Sequence, residues 1–206
     1  MKKEREYRQG IYTLLSEALK EPTTDFVAEQ AAMAEFFREA WLALPYEESQ
    51  EPIDWPVAPE GLKAFSQDYC RSFLYPPDVR VVPVESIYRR WTYDETVDVP
   101  FAGEKGYLMS DAALHMQALY ERYGLEIPEA YQGMPDHLCL QLEFAAALLE
   151  HHSEQQLQVF VAEHLGWVDE LYQEMADRDI PAYYRGIVRI TCQFLSGERR
   201  RELARQ

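Results

Sequence analysis

Carboxylates and imidazoles carry most of the chemistry open to this chain, and their spacing favours binding over catalysis. Asp136 and His137 follow Pro135, and Glu143 and Glu150 continue from Asp136 at seven-residue steps. On a helix beginning at Pro135 these acids fall along one edge, because every seventh position returns close to the same face. Such an acidic ridge offers charged acceptors to a guanidinium or ammonium group. Pro-Asp is equally what a helix start requires, since proline loses nothing at the first helical position and the helix dipole favours an acid in the first turn. His151, His152 and His164, with Glu150, Glu154 and Glu163, are of the types that hold metals. No His-x-x-x-His, HExxH or paired Glu-x-x-His motif occurs, so their spacing argues against a metal site and no cofactor is expected. No Gly-x-Ser-x-Gly elbow or glycine-rich phosphate loop is found, and Cys139 lies in an apolar run as a packed thiol. No catalytic residue is expected.

The 206 residues are 47% apolar, enough to bury a core, and they carry a formal net charge of -16. That charge repels phosphate backbones, which disfavours nucleic acid, and attracts a cationic partner. Three cysteines, Cys70, Cys139 and Cys192, stand far apart and suit a reducing compartment. The charged N-terminus has no apolar h-region and no later run reaches membrane-spanning length. A cytoplasmic protein without stable membrane insertion is expected.

The elements that must position the acids are helical. Apolar residues at three-four spacing predict an all-α, single globular domain over residues 1–206, of about nine to eleven helices. The first helix carries Ile11, Leu14, Leu15, Ala18 and Leu19 and ends before Pro22. The second runs from Thr24 to Pro45 with Val27, Ala31, Ala34, Phe37 and Trp41 on one stripe. Residues 45–59 form an acid- and proline-rich exposed connection, and Leu62, Phe65, Tyr69 and Phe73 mark a third helix. From Tyr75 to Gly106 the pattern is irregular, with one helical turn around Glu85 to Trp91. Irregular stretches of this length are often functional, so part of a binding surface is expected here. A hinge near 98–106 would separate subregions 1–98 and 107–206. Beyond it, a helix runs from Ser110 to Gly124 with Leu108, Ala112, Leu119 and Tyr123 inward. Helices follow over Pro135–His152, around Leu157 to Leu165 and around Trp167 to Met175. The last starts near Pro181, buries Tyr184, Ile187, Thr191 and Phe194, and ends at Gly197.

Three stretches resemble one family. Pro135-Asp136-His137-Leu138, followed by Leu140-Gln141-Leu142-Glu143-Phe144, is similar to the signature of the TorD/DmsD/NarJ superfamily of redox enzyme maturation chaperones. Pro83-Val84-Glu85-Ser86-Ile87-Tyr88 resembles its Pro-x-Glu-Ser-x-Tyr stretch, and Phe160 to Trp167 its Phe-x-x-x-His-Leu-x-x-Trp pattern. Departures are Gln141, where the family often has Glu, Pro135 in place of a second acid, Ala145 in place of Met, and a tryptophan arriving one residue early.

The resemblance implies a cytoplasmic chaperone that binds the twin-arginine signal peptide of a molybdopterin oxidoreductase precursor and assists its maturation before Tat export. It implies a peptide-binding groove bordered by Pro135, Asp136, His137 and Glu143, lined by Glu85, Ser86 and Tyr88, with Trp91 beside them. A twin-arginine leader presents two planar cations and then an apolar stretch, which calls for carboxylates beside an apolar trough. Ordering a disordered leader costs entropy, so affinity near micromolar is expected. Some relatives exchange halves, which leaves a monomer or a domain-swapped homodimer open. The alternative of a different class is an acidic helical regulatory or scaffold protein that binds another basic segment.

Overall fold

The element with the least freedom is the helix richest in Leu and Ala, and the rest of the chain is arranged around it. The computed structural model describes residues 2–47, 53–75 and 80–203, with residues 202 and 203 described by backbone alone. Among the described residues there are ten α-helices and no strand: α1 (Lys2–Ala18), α2 (Thr24–Ala28), α3 (Gln30–Ala43), α4 (Gly61–Tyr69), α5 (Glu85–Tyr88), α6 (Asp111–Tyr123), α7 (Leu138–His151), α8 (Glu154–His164), α9 (Val168–Ala176) and α10 (Ala182–Leu203). Ten of the fourteen residues of α7 are buried, because α1 lies along one side of it and α8 along another. Each fully buried Leu there contributes roughly 1.5–3 kcal/mol. The long α10 packs across α9, α8, α1 and α4 and buries Tyr184, Ile187, Thr191 and Phe194 completely.

Local signals set several boundaries. Ser110 caps α6 by accepting from the Ala112 N–H at 3.2 Å, and Gly124 ends that helix in the left-handed region at φ 67°, where a Cβ would be strained. Ser153 and Gln156 form a reciprocal capping box on α8. The buried Arg8 of α1 is gripped by Glu198 of α10 and Glu154 of α8 at 2.6–2.9 Å. Burial opposes its charge, but the two carboxylates more than offset this and hold the guanidinium protonated.

Four expectations are corrected. The predicted second helix is two, broken at Glu29; the break seats the buried Gln30, whose amide donates to the Phe26 carbonyl and accepts from Trp55 Nε1 and the Tyr183 hydroxyl, both at 3.1 Å. The 45–59 connection is not wholly exposed, since Tyr46 and Trp55 are core residues; its positions 48–52, like 76–79 of the irregular middle, lie outside the described residues. The buried face of α6 is Ala113, Met116 and Tyr120; the expected Leu119 and Tyr123 pack half-buried beside it, while Leu108 is exposed. The Trp91 carbonyl accepting the Asp111 N–H at 2.9 Å and Tyr120 donating to the Pro135 carbonyl at 3.1 Å set that rotation. Finally, α10 does not stop at Gly197 but runs to Leu203. A Cβ at Gly197 would stand 2.3 Å from the Tyr46 ring, so this glycine serves close packing rather than termination.

Candidate functional site

The irregular middle and the start of α7 are sewn together by backbone before any side chain is considered. Val84 and His137 form an isolated antiparallel bridge, in which the Glu85 N–H donates to the Asp136 carbonyl at 3.1 Å and the Leu138 N–H to that of Pro83 at 2.8 Å. Pro135 and Asp136 therefore precede α7 in a turn, closed by the His137 N–H on the Met134 carbonyl at 3.0 Å, instead of opening the helix, and the extended His137 is its N-cap. Its Nδ1 accepts the Cys139 N–H at 3.3 Å. Burial depresses the His137 pKa to about 3, which keeps the ring neutral as an acceptor must be. The expected ridge thus loses its first member; Glu143 and Glu150 remain exposed along α7.

Asp136 is fully buried and its Oδ2 accepts from both the Ser86 N–H at 2.6 Å and the Ser86 hydroxyl at 2.5 Å. Ser86 Oγ in turn accepts from Ser110 Oγ at 2.8 Å, so one carboxylate ties the start of α7 to α5 and to the cap of α6. Burial raises the pKa of Asp136, against the lowering effect of the Ser86 bonds. Glu85, also buried, accepts from Gln141 Nε2 at 2.6 Å and faces His164 Nδ1 at 2.9 Å. The departure at Gln141 explains itself here: an amide donates to Glu85, where a second carboxylate would repel it or need a shared proton. Trp167 completes the cluster, donating to Gln141 Oε1 at 3.2 Å and stacking on Tyr88 with ring centroids 5.1 Å apart.

The predicted site residues consequently divide. Glu85, Ser86, Pro135, Asp136, His137 and Tyr88 are brought together, but all are buried, in a polar hub rather than a groove wall open to a ligand. Trp91 stands apart, half-buried, with its indole N–H on the Leu108 carbonyl and its ring against Phe101. Glu143 reaches an open hollow. Burial pushes the Cys139 thiol up to about 12, in keeping with a packed thiol.

That hollow lies between the end of α6, the following loop and α7. Tyr120, Leu125, Ile127, Leu140 and Phe144 line a cavity of about 160 Å³, with Glu126 and Glu143 on its rim. It continues into a wider depression of about 600 Å³ that shares Tyr120, Leu125, Glu126 and Ile127 and is edged by Glu121. The gap exists because α6 meets α7 mainly through rings, Tyr120 and Tyr123 edge-on to Phe144 at 5.6 and 5.2 Å, which hold the helices apart. Sequence periodicity missed Glu126 and its loop, which carry no repeat; the Leu-Glu-Ile-Pro run after Gly124 was the available signal.

The family model for the nitrate reductase delta subunit matches residues 29–173, more than two thirds of the chain. The chain belongs to that family. The resemblance to TorD/DmsD/NarJ-type redox enzyme maturation chaperones, drawn from the Pro-Asp-His, Pro-x-Glu-Ser-x-Tyr and His-Leu stretches, holds, and these are the segments that build the buried hub. The fold is shared with the crystal structure of a candidate redox enzyme maturation protein from Archaeoglobus fulgidus, at a TM-score of 0.58 and 19% identity, covering 91% of this chain and 93% of that one. No curated protein matches by sequence. No helix among the described residues is long and apolar enough to cross a membrane.

Proposed function

We propose that this family member is a cytoplasmic maturation chaperone that holds the twin-arginine signal peptide of a molybdopterin oxidoreductase precursor before Tat export, and that the leader lies along the α6–α7 hollow. The observation that carries the reading is the pairing of an apolar floor with a carboxylate rim, Glu126 and Glu143, in one open trough. The cavity takes apolar side chains of the leader, and the depression beside it gives the peptide backbone a path. The formal charge of -16 steers a cationic segment toward the molecule. The buried hub does not touch the peptide; it fixes α5, α6 and α7 relative to one another and so sets the width of the trough. The activity is binding, with the arginines supplying register and the apolar stretch most of the affinity.

Calorimetric titration with a synthetic twin-arginine leader tests this. Binding near micromolar is expected, weakened about two- to fivefold by Glu143→Gln or Glu126→Gln and by a similar factor for a twin-lysine leader, as befits exposed pairs of about 0.2–1 kcal/mol. A leader that fails to bind, while another basic segment does, would establish the protein as an acidic scaffold instead.

A further inference from the structure

We propose that His115 of α6 and Glu163 and His164 of α8 form a binding site for a divalent transition metal such as Zn²⁺, a site independent of the signal-peptide reading. Their donor atoms all lie within 4.8 Å of one another, and His164 Nε2 and His115 Nδ1 face each other at 2.9 Å. Two nitrogens at Zn–N distances near 2.0–2.1 Å around a tetrahedral ion stand roughly 3.3 Å apart, so the imidazoles need to part by only a few tenths of an ångström. Glu163 is exposed and free to swing its carboxylate inward.

The hub provides what a metal-binding histidine needs behind it. His164 is buried, and its other nitrogen, Nδ1, meets Glu85 at 2.9 Å. Donation from Nδ1 to a carboxylate fixes the tautomer that leaves Nε2 as a lone pair and locks the ring. Glu85 is itself held by Gln141 at 2.6 Å and by Arg89 at 3.4 Å, so the orienting group is rigid. Access is available, because His115 and Glu163 border a second hollow of about 370 Å³ between α6 and α8. Two imidazoles and a carboxylate are a borderline-soft set that favours Zn²⁺ and its first-row neighbours over Mg²⁺ or Ca²⁺. Spacing along the chain could not reveal it, since His115 lies on a different helix from the other two. A bound ion would clamp α6 to α8, and α6 is the helix that forms one wall of the α6–α7 trough.

Metal-stripped, tag-free protein is titrated with Zn²⁺ by calorimetry and with Co²⁺ by visible absorption. One ion per chain is expected, with a Co²⁺ spectrum of nitrogen and oxygen donors and no thiolate charge-transfer band. His115→Ala and Glu163→Gln, both at exposed positions, should each weaken binding at least tenfold, while the His151→Ala/His152→Ala double variant should bind as the parent does. The proposal is overturned if the parent takes up no stoichiometric ion, if His115→Ala binds as tightly, if affinity follows His151 and His152, or if the Co²⁺ spectrum shows thiolate ligation.

Discussion

His137 offers a direct measurement of how firmly the Asp-His turn is sealed. In the folded protein its pKa is held down to about 3 by burial, whereas in the unfolded chain it returns to roughly 6.5. Below that value the unfolded state binds a proton that the folded state refuses, so stability is fully present above pH 6.5 and is lost as the pH falls toward 3. Over that window the loss for this one group is about 1 kcal/mol between pH 7 and 5.5, and roughly 2–3 kcal/mol by pH 4.5. His137→Asn removes the titration but keeps the cap, because Asn is among the best N-cap residues and its side-chain oxygen can accept the Cys139 N–H in place of Nδ1. The variant pays a constant cost for lost packing against Tyr131, whose ring centroid is 5.0 Å away, and that cost does not vary with pH. Urea unfolding followed by tryptophan fluorescence at pH 7, 5.5 and 4.5 gives both curves. The other histidines and Asp136 are common to both proteins, so the difference between the slopes isolates His137. Parallel pH dependences, within a few tenths of a kcal/mol, would mean that the ring is solvated and protonated as an open groove residue would be.

Three further outcomes follow from the same contacts. Asp136→Ala leaves the Ser86 N–H and hydroxyl without their acceptor and should cost about 3–5 kcal/mol in denaturant unfolding, whereas Asp136→Asn, which keeps an acceptor oxygen, should cost less than half as much. Folded Asp136→Asn should bind the leader within about twofold of the parent, and a large loss by calorimetry would restore this carboxylate to the peptide contact. Gly197→Ala would gain about 1 kcal/mol from helix propensity but drives its Cβ into the Tyr46 ring, whose hydroxyl is bonded to Glu198; a net loss of about 1–3 kcal/mol in thermal or denaturant unfolding is expected, and stabilisation would refute the packing argument.

Long periodic runs were legible in the sequence because burial selects the residue types directly. The Leu and Ala content of α7, the cap pair Ser110 and Gly124 around α6, and the four fully buried positions of α10 follow from spacing alone. What was not legible depends on contacts between distant residues. Gly197 reads as a stop until Tyr46 is found against it, and Glu29 reads as mid-helix until Gln30 is seen gripping Trp55 and Tyr183. The family motifs, read as a groove lining, mark residues that cluster in the hub, because residue type does not state burial: Asp136 is the same carboxylate whether it faces a guanidinium or the Ser86 N–H. Glu126 was overlooked for the opposite reason, being a loop residue outside any pattern.

The burial of Asp136 separates two roles that one motif had combined. A carboxylate that must release a client cannot also be the pin of the fold, because exchanging its Ser86 bonds for a guanidinium would expose two buried donors at a cost of about 1–3 kcal/mol each, more than an exposed ion pair returns. In the proposed chaperone, recognition would therefore fall to groups whose loss the fold tolerates. Glu143 meets this condition: it is exposed, and its present partner, Lys20 at 3.1 Å, is a half-buried cation whose place an incoming arginine would take. On the proposed reading, a leader arginine in that place would exchange a point charge for a two-pronged one while its apolar neighbours would enter the trough between α6 and α7, and departure would restore the Lys20 pair. In the proposed function the hub would supply rigidity and the rim reversibility, a division that suits a chaperone that must let its client go.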